Sequence, residues 1–94
     1  MIGIDPVPRF PLGETMITLG AAAKINMVQV KLALARHVSG DWGEMEADDR
    51  RLNDERVANG GTLASIYKTA DGVKLYVLTE ADRQKTTVLL PEEY

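Results

Sequence analysis

The sequence predicts an α+β domain in which two to three N-terminal helices pack on a three-stranded antiparallel β-meander, spanning roughly 62–90. Three observations predict it. Apolar residues recur at helical spacing over 27–39. After Asn59-Gly60 the period drops from 3.6 to 2. An Asp71-Gly72 pair then separates two alternating runs, a strong short-range hairpin signal.

The elements follow in order. Residues 1–13 carry Pro6, Pro8 and Pro11 and no clear period, so an extended N-terminal arm is expected. Residues 14–94 form the single folded domain. Residues 14–19 fit a short strand or an entry turn. Thr18 offers a cap for a short helix over 20–26. Met27, Val30, Leu34 and Val38 form the stripe of an amphipathic helix over 27–39, with Ala33 beside it. Val28, Leu32 and Ala35 widen its apolar surface, so cover on more than one side is expected. Gly40 is its natural stop. Another helix is expected over 47–58, with Asp48 or Asp49 favouring its positive N-terminal end. Strands are then expected over 62–68, 73–79 and 85–90, ended by Pro91.

Composition bounds the function. A chain of 94 residues makes one domain. Such a chain buries only about 60–65% of its unfolded surface, so stability is modest and dimerisation is one source of more. The absence of cysteine removes disulfides, thiolate zinc sites and a cysteine nucleophile. One histidine without cysteine gives poor support to any metal site, and none is assigned. Phosphate-loop and dinucleotide patterns are absent, because Gly60-Gly61 leaves a helix and enters a strand. No cofactor is expected. The net charge of −3 is not the basic footprint of a general nucleic-acid binder, although Lys24, Lys31 and Arg36 share an acid-free segment. Nucleic acid is therefore not the favoured partner. No leader pattern and no run near the roughly 20 apolar residues of a membrane span is seen, so a cytoplasmic protein with no membrane partner is expected.

Two stretches carry a resemblance. One is Leu34-Ala35-Arg36-His37-Val38-Ser39-Gly40-Asp41-Trp42-Gly43. The other is Thr79-Glu80-Ala81-Asp82-Arg83, followed by Thr86-Thr87-Val88-Leu89-Leu90-Pro91-Glu92-Glu93-Tyr94. Together they resemble a family of small bacterial proteins of plasmids, phages and integrated elements, often labelled "plasmid-related protein". The likeness covers roughly 12–94. It implies a mobile-element setting and no particular mechanism.

Two clusters are candidate sites. In the first, Arg36, His37, Asp41 and Trp42 meet at a helix end, where an imidazole near a carboxylate has the chemistry of a general base. The structural reading is the better one: His37 lies on the buried stripe, Asp41 caps the turn, and Trp42 packs over the helix–sheet seam with its indole N–H on a carbonyl. In the second, Glu80, Asp82, Arg83, Thr86 and Thr87 cluster at the turn between the last two strands. Acids, a cation and hydroxyls there have the chemistry to hold an anion or a metal. The favoured reading is that Arg83 pairs with Glu80 or Asp82 to fix the turn.

The meander itself has two apolar faces. Leu63, Leu75, Val77, Val88 and Leu90 line one. Ile66, Tyr76, Leu78 and Leu89 line the other, which needs a cover: the arm with Phe10, a second subunit in a homodimer, or a partner protein. The expected function is a non-enzymatic protein-interaction module of a mobile element, acting for instance on a host defence system such as restriction or CRISPR. A small nucleic-acid-acting toxin using Arg36, His37, Glu80 and Arg83 is the alternative. A DNA-binding regulator with a helix-turn-helix is the third.

Overall fold

A computed structural model describes residues 8–94. The stretch 1–7 of the expected arm lies outside them. Thr18 accepts from the Ala21 N–H and starts α1 (Leu19–Lys24). Asn26 accepts from the Gln29 N–H and starts α2 (Met27–Val38). Each cap satisfies an N–H that the helix itself leaves free. The third helix, α3 (Ala47–Asn59), has Asp48 and Asp49 in its first turn and ends at Gly60 with φ of 92°. The strands are β1 (Glu14–Ile17), β2 (Leu63–Lys68), β3 (Lys74–Thr79) and β4 (Lys85–Leu89). A 3-10 turn over Pro91–Glu93 follows.

The architecture is α+β, but the sheet is not a pure three-stranded meander. It has four strands in the order β1-β4-β3-β2. β2, β3 and β4 are antiparallel neighbours, while β1 lies parallel to β4. The sequence signal for β1 is weak because the strand is short and polar at Glu14 and Thr15. Long-range hydrogen bonds build it: the Glu14 N–H donates to Gln84 and the Thr18 N–H to Val88.

Register sets two faces. On the core face, Thr15, Thr86, Thr79 and Leu63 form one cross-strand row, and Ile17, Val88, Val77 and Ser65 the next. Ala21 of α1, Ile25 just after it, and Val30 and Ala33 of α2 pack on this face with Tyr67, Leu75, Val77, Val88 and Leu90. The five core positions expected from alternation, Leu63, Leu75, Val77, Val88 and Leu90, are all buried.

Of the three possible covers for the second face, the one from Phe10 of the arm does not form. Phe10 is buried with Trp42 and Leu63 on the core side, with Leu12, Met45 and Val57 packed around them. The Arg9 N–H donates to the Val38 carbonyl, at the end of α2. Residues 8–13 therefore plug the open end of the helix layer instead of crossing the far side of the sheet. The cover expected over α2 is also one-sided: Val30, Ala33 and His37 are buried, but Val28 is 67% and Leu32 54% exposed.

Candidate interaction face

The first candidate cluster is divided by its surroundings. His37 is fully buried, and its ring contacts Ser65 and Thr79 rather than Asp41. The protons along this chain of contacts can be assigned. Thr86 Oγ1 donates to the Leu12 carbonyl at 2.6 Å. Its 2.7 Å contact with Thr79 must then be donated by Thr79. Thr79 Oγ1 in turn accepts from His37 Nε2 at 2.9 Å. His37 Nδ1 is left to accept from Ser65 Oγ at 2.6 Å. The imidazole is thus neutral with its proton on Nε2. Burial, aided by the positive Arg83, pushes its pKa down to about 4. A base with no exposed atom and two satisfied nitrogens meets no substrate.

Arg36 takes the carboxylate instead. Its Nε donates to Asp41 at 2.7 Å, and its guanidinium stacks 4.5 Å from the centroid of the Tyr67 ring. The Arg36 hydrogen bond holds the Asp41 carboxyl below its ordinary pKa. Asp41 also accepts from the Gly43 N–H, as a turn cap should. Trp42 is buried at the seam, but its indole N–H donates to the Asp54 carboxylate, not to a carbonyl. Asp54 is the better acceptor because it is charged, and Arg9 also donates to it. The Trp42 bond and then Arg9 hold its pKa low.

The second cluster is a backbone clasp. Arg83 pairs with neither Glu80 nor Asp82. Its Nη1 donates to Gly61, Glu80 and Ala81 carbonyls, and its Nη2 to the Arg56 carbonyl at 2.7 Å. A guanidinium carries five donors, enough to bind the turn, the end of α3 and the approach to β2 together. Asp82 accepts from the Gln84 N–H within the same turn. Thr86 and Thr87 lie on opposite faces of the sheet, so their hydroxyls do not converge. No group of three metal-ligating side chains occurs among the described residues.

Tyr76 and Thr87 belong to the other sheet face, and this face is the candidate site. Met16, Thr87, Leu78 and Ala64 form a row across all four strands. Leu89, Tyr76 and Ile66 form the next row. Among the described residues no α-helix packs across these rows, although the 3-10 turn contacts β3 and Leu89 is buried. Only its borders are built up. Tyr94 sets its ring edge-on to Tyr76, with centroids 5.7 Å apart. Met45 and Asp49 stand along the β2 side. Between them runs a groove of about 240 Å³, lined by Met45, Asp49, Ala64, Ile66, Tyr76, Leu78 and Tyr94. Its side-chain walls are apolar apart from the tyrosine hydroxyls and one carboxylate. Such a groove has the shape and lining to hold apolar side chains.

Alternation in sequence located Ile66, Tyr76, Leu78 and Leu89 on this face. It missed Met16, Met45, Asp49 and Tyr94. Met16 becomes visible only once β1 is placed beside β4. Met45 and Tyr94 lie outside the strands and carry no periodic signal.

No described helix is long and apolar enough to cross a membrane. The chain matches no protein-family model, no curated protein and no solved structure.

Proposed function

We propose that this chain is a non-enzymatic protein-interaction module whose binding surface is the far face of the sheet. One observation carries the reading. Two largely apolar rows, Met16–Thr87–Leu78–Ala64 and Leu89–Tyr76–Ile66, lie side by side, and among the described residues no α-helix lies over them. Phe10, one of the possible covers, packs with Trp42 and Leu63 on the other side. Met16 is exposed and Ala64, Ile66, Tyr76 and Leu78 are half-buried, while Leu89 is buried; contiguous apolar surface left partly open in this way marks contact sites.

The two motifs quoted above support a mobile-element setting. In that setting the module modulates a host defence system, such as restriction or CRISPR. A nucleic-acid-acting toxin has less support, because His37 is buried and Arg36 and Arg83 are held by Asp41 and by carbonyls.

The test is affinity capture with the native chain and with Leu78→Glu, after circular dichroism has shown both folded. One defined protein is recovered by the native chain and lost with the variant. Recovery of nothing specific, or of the same protein by the folded variant, overturns the reading.

A further inference from the structure

The far-face groove has a counterpart on the same molecule. Val28, Leu32 and Ala35 lie at i, i+4 and i+7 on α2, directly opposite the buried Val30, Ala33 and His37. Val28 and Leu32 are exposed, and Lys31 stands beside them. The whole stretch 15–40 holds Lys24, Lys31 and Arg36 and no acid. Lys24 and Arg36 have ion-pair partners in Glu92 and Asp41, whereas Lys31 has none among the described residues. The groove has the opposite charge. Asp49 is the one charged residue in its lining, and of the five acids in 41–49 Asp41 and Asp48 are paired with Arg36 and Arg51 while Asp49 has no ion-pair partner among the described residues.

Resting on the interaction face proposed above, we infer that the occupant of the groove is α2 of a second copy of this chain. The apolar stripe Val28–Leu32–Ala35 seats on Ile66, Tyr76 and Leu78, and Lys31 meets Asp49. The sizes agree. The eight residues from Val28 to Ala35 span about 10 Å of helix, and four strands span about 14 Å. Lys68 and Lys74 close the hairpin end of the same face, so the incoming cation must lie on the Met45–Asp49 side. That fixes the direction of the helix.

The geometry also fixes the kind of assembly. α2 covers one side of the sheet and its outer stripe points away from it, while the groove is on the other side. Each copy therefore offers one donor surface and one acceptor surface facing opposite ways. The contact is head-to-tail. It builds rings or open chains, not a closed two-fold dimer.

Sedimentation velocity across a concentration series tests this. The native chain should rise in mass past the dimer, and about 0.5 M salt should weaken the rise by screening the Lys31–Asp49 attraction. Leu32→Glu blocks the stripe at an exposed residue, and Leu78→Glu blocks the groove. Asp49→Arg is a third variant, made wholly on the exposed rim. Each should weaken self-association at least roughly tenfold, or about 1.4 kcal/mol, as loss of an interface anchor does. Folded Leu32→Glu mixed with folded Leu78→Glu, or with Asp49→Arg if Leu78→Glu fails to fold, should give a dimer and nothing larger. Only one stripe and one groove remain in such a mixture. A native chain that stays monomeric, a plateau at a closed dimer, a variant that still assembles or a mixture that stays monomeric overturns the inference. A monomer that captures another protein through Leu78 keeps the interaction face and removes only the self-assembly. A monomer that captures nothing removes both.

Discussion

His37 shows how a residue that looks chemical becomes structural. Its place on the apolar stripe was legible, because it follows Val30 by seven positions. Its partners were not. Ser65, Thr79 and Thr86 read as ordinary strand residues, and only the register brings them under one imidazole. The pH consequence is direct. The folded-state pKa is lowered from 6.5 to about 4, so the unfolded chain binds a proton in that window and the folded chain does not. Stability is then constant above the unfolded value and falls as pH drops from 6.5 toward 4. The loss is on the order of 3 kcal/mol by proton linkage. Urea denaturation between those limits should show this slope, and His37→Gln should flatten it while lowering stability at neutral pH. A native slope no steeper than that of the variant would contradict the burial account. Further acidification then draws on Asp41 and Asp54, whose folded pKa values lie below the ordinary 3.8. Arg83 is the second case. Its φ of 61° is a backbone state that glycine adopts more readily. Arg83→Gly should still destabilise by about 1–3 kcal/mol, because several carbonyls lose their donor. Denaturant midpoints check this, and an equal or higher midpoint would show that the clasp contributes nothing.

At the scale of elements, the edges of the sheet are treated differently. β2 is an edge strand, and its outward backbone groups at Ala64 and Ile66 are taken. Asn53 accepts from the Ala64 N–H and donates to the Ala64 carbonyl, so its amide stands in for a neighbouring strand. Ile66 is paired in the same way by the Trp42 carbonyl and the Glu44 N–H. A strand edge left open invites pairing with other chains. Asn53→Leu should therefore cost roughly 2–4 kcal/mol for two lost partners. It should also speed amide exchange at Ala64, as hydrogen-exchange NMR would show. Unchanged exchange there would mean that the side-chain amide does not cover the edge. The helices and the three antiparallel strands were legible because their apolar periods are local. β1 and the Asn53 clasp were not, because each depends on a partner more than ten residues away.

For the whole molecule, the decisive feature is a sheet with one side filled by helices and the other left partly open among the described residues. Composition hinted at this, since both faces of the meander alternate with apolar residues. The course of the arm was the missing fact. Phe10 could have closed the open side, and it packs instead beneath Trp42 and against His37, 5.2 Å away between ring centroids. What remains open is the groove bordered by Met45, Asp49 and Tyr94. The most direct test is site-specific photo-crosslinking in the working environment, with a photoreactive residue at position 78 and, as control, at exposed position 50 on α3. The account predicts one dominant adduct from position 78, either with a second copy or with a single partner protein, and none of that adduct from position 50. Equal, diffuse labelling from both positions, or no adduct from position 78, would contradict it.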